Sequence, residues 1–178
     1  MVYISNVKQV ILIAVLSAIA SVMSNITINI NVIPITLSTL AFMIIGILFN
    51  YKISFFVPLV YILLGIIGIP VFSNMRAGIN SILSYSGGFI IGYIPFCVFI
   101  SLFYNKFENV IYKYFILLSS NIILYIIGTT HYLFVSSSSV VESIKICVIP
   151  FFLFDNIKII FAIIISKKIY KILKKIYI

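Results

Sequence analysis

The 178 residues are 63% hydrophobic and 8% charged, with a mean hydropathy of +1.31. A chain this apolar cannot wet its surface in water, so its solvent is lipid. The formal charge of +9 is not laid out as a nucleic-acid face: Lys167, Lys168, Lys171, Lys174 and Lys175 follow directly on an apolar run, the pattern of a cytoplasmic anchor against anionic headgroups.

In chain order, the first apolar run, Val10 to about Ser24, follows Lys8 and sets a first helix at 8–24. It contains Ala18-Ile19-Ala20, which resembles a cleavage site, but nothing secreted-looking follows and the run is read as an uncleaved helix. A polar stretch (Asn25, Thr27, Asn29, Asn31) and Pro34 precede a second span, 35–49. Asn50-Tyr51-Lys52 separates it from a third, 53–68, which Pro58 is placed to kink. A connector rich in Gly, Ser and Asn leads to a fourth span at 83–104, charges at 105–113 to a fifth at 112–133, and the Ser136–Ser139 run to a sixth at 148–168. The expected fold is all-α: one transmembrane domain of six helices over 1–178. Lys8, Lys52, Lys106, Lys113 and the terminal lysines fall on one side, against Arg76 and Lys145 on the other, so both termini are expected in the cytoplasm.

Asp155 and Lys158 stand inside the sixth span. A charged side chain at the centre of a membrane helix costs roughly 2.5–3.5 kcal/mol on insertion scales, and such residues commonly face a cavity or a partner. At i, i+3 the two share a helical face, either as a self-contained ion pair or as part of a site. Arg76 is the single arginine; its fork suits a carboxylate, and a solvated loop charge is the alternative. Gly88-x-x-x-Gly92 and Ala14-x-x-x-Ala18 allow close helix approach. Among the aromatics, Phe72, Tyr85 and Phe89 are near enough to the loops to cage a ligand. His131 reads as an interface residue, and Cys97 as a small buried hydrophobe. Three acids and one histidine leave little for a general acid–base pair, and no Cys/His cluster has metal-ligand spacing. Neither an enzyme nor a metal or cofactor site is expected.

Pro34-Ile35-Thr36-Leu37-Ser38-Thr39, Tyr61-Ile62-Leu63-Leu64-Gly65-Ile66-Ile67-Gly68-Ile69-Pro70-Val71-Phe72, Ser86-Gly87-Gly88-Phe89-Ile90-Ile91-Gly92-Tyr93, Gly128-Thr129, and Pro150-Phe151 followed by Asp155-Asn156-Ile157-Lys158 resemble, in order and spacing, the motifs of the BioY family. These are the biotin-specific S components of energy-coupling-factor (ECF) transporters. The resemblance implies an S-component-like bundle in the bacterial cytoplasmic membrane, with biotin as transported ligand. It also implies a membrane T component and two cytoplasmic ATPases as partners. It assigns Asp155 and Lys158 to biotin, and Ala14 and Ala18 to the T component; Arg76, Asn80, Phe72, Tyr85 and Thr36 are the further ligand-site candidates in the chain. The segment Ser73–Asn80 departs from the family's glycine-rich loop, and Leu153-Phe154 replaces its Pro-Gly. An S component for another vitamin, a membrane scaffold and a stand-alone secondary transporter are the competing readings.

Overall fold

The computed structural model describes residues 6–29 and 32–177, a bundle of helices with a single two-residue hairpin among them. Helix α1 (Asn6–Ser24) turns a small, polar face (Ser17, Ala20, Ser21, Ser24) inward and leaves Val10, Ala14, Val15, Ala18 and Val22 exposed. That inward face can approach closely: the Ser17 hydroxyl donates to the Val57 carbonyl of α3 (Tyr51–Ile67) at 3.0 Å. Strands β1 (Thr27–Ile28) and β2 (Ile35–Thr36) pair antiparallel, Thr27 opposite Thr36.

The hairpin changes the second helix. α2 (Ser38–Leu48) starts three residues later than expected, because Ile35 and Thr36 spend their backbone groups on β1. At 11 residues it is about 17 Å long at 1.5 Å per residue, too short for a hydrocarbon core of about 30 Å. All of it except Ile44 and Leu48 is buried by the other helices. Irregular backbone at membrane depth is tolerated where protein encloses it. Asn50 caps α3 by accepting from the Ile53 N–H at 3.0 Å, and Gly68 closes it in the left-handed conformation, φ 111°.

The 69–78 segment contains a 3₁₀ turn at Ser73–Met75 and leads to the short α4 (Ile79–Leu83). The fourth span therefore begins after a break, as α5 (Gly87–Phe103), rather than at residue 83. Helix α6 (Val110–Ser136) packs along α5 at glycines. A methyl group on Gly88 would lie 2.4 Å from His131 Cβ, and one on Gly128 would meet the Phe89 ring at 2.5 Å. Inside the segment expected as a loop, Ser139 caps α7 (Val140–Cys147) by accepting from the Glu142 N–H at 3.3 Å. Helix α8 (Ile149–Tyr177) runs on past residue 168. Among the described residues, four stretches are long and apolar enough to cross a membrane, Val7–Ser24, Gly87–Lys106, Val110–Ser136 and Val140–Ile172; α2 and α3 are the shorter apolar helices. The chain is a multi-pass membrane protein.

At the hairpin end, side chains stitch the segment around β1 (25–29) to the 69–78 loop. Asn25 accepts from the Met75 N–H at 2.8 Å and donates to the Pro70 carbonyl at 3.2 Å. Thr27 donates to Asn74 Oδ1 at 2.8 Å, and Asn74 Nδ2 donates to Asn29 Oδ1 at 3.1 Å.

Candidate functional site

A cleft opens beneath this stitched end, between α2, α5, α6 and α8. Helix α8 brings Asp155 and Lys158 to its floor. They are spaced i, i+3 on the buried face, with Lys158 Nζ 2.8 Å from Asp155 Oδ1, and the residues are 1% and 6% exposed. Measured along α8 from Ile149, they lie about 9 and 14 Å in at 1.5 Å per residue.

Two neighbours complete the pair. Thr39, in the first turn of α2, accepts from Lys158 Nζ at 2.8 Å and directs its own hydroxyl at Asp155 Oδ1, 3.4 Å away. Tyr125 of α6 donates to Asp155 Oδ2 at 2.6 Å. The carboxylate is thereby held by an ammonium and two hydroxyls drawn from three helices, which is how a charge survives burial. Nearer the hairpin, Ser38 bonds Tyr93 at 2.5 Å and also Thr36, while Ser24 bonds Tyr61 at 2.7 Å. Phe89 and Phe151 form the apolar wall, stacked with centroids 5.7 Å apart and planes 18° from parallel. Polar floor, aromatic wall and hydroxyl-lined rim suit a small ligand with a hydrogen-bonding head and an apolar body.

The cleft has a volume of about 500 Å³, open space at the mouth included.

Of the residues singled out from sequence, the structure brings Asp155, Lys158, Thr36 and Phe89 together around this cleft. Phe72 is buried behind it, edge-on to Tyr61 at 5.4 Å. Arg76, Asn80 and Tyr85 are exposed and outside the lining; the Tyr85 ring instead lies 5.6 Å from that of Tyr132. Ala14 and Ala18 lie on the exposed side of α1. His131 reaches the Ser84 carbonyl at 3.1 Å and ties α6 to the turn before α5. Thr39, Tyr93 and Tyr125 were not singled out as site residues. Thr39 and Tyr93 sit inside recognisable motifs, which was a usable signal; Tyr125, within an Ile- and Leu-rich run, offered none.

Three kinds of similarity bear on the chain. It is 31% identical over 148 residues to the biotin transporter BioY2 of Lactococcus lactis subsp. cremoris, covering 83% of this chain and 81% of that one. It is 26% identical over 169 residues to the biotin transporter BioY of Thermotoga maritima, covering 93% and 97%. Its fold matches the crystal structure of the S-component for biotin from an ECF-type ABC transporter, with a TM-score of 0.84 over 95% of each chain at 24% identity. The BioY family model matches residues 1–175. By that match and by the Lactococcus likeness, the chain belongs to the BioY family.

Proposed function

We propose that this protein is the substrate-capturing S component of an ECF-type importer, taking biotin at the hairpin end, on the outside of the membrane, for ATP-driven uptake by partner subunits. The observation that carries the proposal is the Asp155–Lys158 pair at the floor of a cleft walled by Phe89 and Phe151. Biotin's ureido ring offers N–H donors and a carbonyl acceptor. Asp155 accepts from the former and Lys158 donates to the latter, while the thiophane ring packs on the aromatic wall. The names of the relatives support the same ligand. Thr36 lines the cleft and Phe72 packs behind it on Tyr61, while Arg76, Asn80 and Tyr85, exposed and outside the lining, take no part in holding the ligand in this reading.

The work of transport belongs to others. The exposed Ala14–Ala18 stripe of α1 is the proposed seat of a membrane T component, itself driven by two cytoplasmic ATPases. Both termini lie in the cytoplasm in this reading, and the chain performs no catalysis. Calorimetric titration of the purified protein with biotin is the test, and one saturable site is expected. Folded protein that ignores biotin yet binds riboflavin or thiamine removes the assignment.

A further inference from the structure

We infer that the cleft recognises the neutral bicyclic urea and leaves the carboxylate tail unanchored, so that biotins with uncharged tails, amides and esters, are ligands alongside the free acid. The inference rests on the biotin reading above and deepens it from a single vitamin to a ligand class.

Among the described residues, the cleft is lined by two charged side chains, Asp155 and Lys158. Their charges cancel across 2.8 Å. An ammonium carries three protons; Lys158 gives one to Asp155 and one to Thr39. What remains matches a urea carbonyl. A carboxylate at the same place would bring a second anion to a floor holding one cation, already neutralised. Such a charge, desolvated without a partner, is strongly disfavoured. The tail must therefore point away from the floor.

Along the way out it meets no replacement cation. The upper lining is hydroxyl or apolar: Thr36, Ser38, Ser73, Ser86 and Ile90. At this end of the bundle the basic residues are Arg76 and Lys145, both exposed. Ion pairs in solvent are weak, so an exposed Arg76 changes affinity by no more than about fivefold. The carboxylate is left to water at the mouth.

The experiment compares biotin, its primary amide and its methyl ester by calorimetry on the wild-type protein, with the Arg76→Ala variant titrated against biotin alongside. All three ligands are expected to bind within tenfold of one another, and Arg76→Ala to cost less than fivefold. If amide and ester both bind tenfold or more weakly while biotin binds normally, the inference falls and the biotin reading stands. An Arg76→Ala loss of tenfold or more for biotin, absent for the amide, overturns it equally. Failure of biotin itself to bind folded protein removes the underlying reading and this inference together.

Discussion

Asp155 and Lys158 satisfy each other inside the bundle, and that makes each dangerous alone. Removing one partner of a buried pair leaves an uncompensated charge, a penalty of about 3–5 kcal/mol, whereas replacing both by apolar groups is often neutral. Asp155→Asn is therefore expected to lose biotin affinity at least tenfold and to melt earlier in detergent. The double change Asp155→Asn with Lys158→Met is expected to recover much of the melting temperature but not the binding. A double variant that binds biotin normally would reduce the pair to a folding device. Tyr125 donates to the carboxylate at 2.6 Å, and a hydrogen bond to a charged group contributes about 1.5–3 kcal/mol. Tyr125→Phe is expected to lower the stability of the fold by about that amount, which the melting temperature in detergent checks. The pair was legible in the sequence because charge inside an apolar run has few innocent explanations. Thr39 and Tyr125 were not legible as site residues, because hydroxyls in membrane helices serve packing and backbone bonding as readily as ligands, and only the approach of α2 and α6 to α8 gives them their role.

At the scale of elements, small residues govern how closely helices approach. Gly88 faces His131 Cβ and the Ile127 carbonyl, so an added methyl would sit 2.4 and 2.9 Å from them. Gly88→Val is expected to destabilise by about 1–3 kcal/mol, the range for overpacking, read as a lower melting temperature. The glycine spacing was readable; the partner helix was not. On α1 the Ala14 and Ala18 side is exposed, so leucine at both positions is expected to leave biotin binding to the isolated subunit unchanged. Uptake with partner subunits should be abolished, measured with labelled biotin in vesicles. The start of α2 and the whole of α7 escaped sequence reasoning for different reasons. A strand of two residues has no period to detect, and Ser139 capping a helix looks like the end of a serine-rich loop.

For the molecule as a whole, the lysine distribution gives a direction to test. A fluorescent reporter that folds in the cytoplasm should light up at either terminus, and a periplasmic phosphatase fused at either should stay silent. The opposite result would turn the cleft inward and undo the capture model.

The segment around β1 and the 69–78 loop are joined by Asn25, Thr27, Asn29 and Asn74, next to Ser24 and Ser73 of the cleft lining. A vitamin that enters between these segments must part that seam, and encounters that wait on a rearrangement are slower than free collisions. Asn74→Ala should hasten arrival and departure together in stopped-flow traces while the equilibrium constant barely moves. How long a captured molecule stays would then be governed by asparagines that never touch it, leaving tightness and tempo free to be set independently.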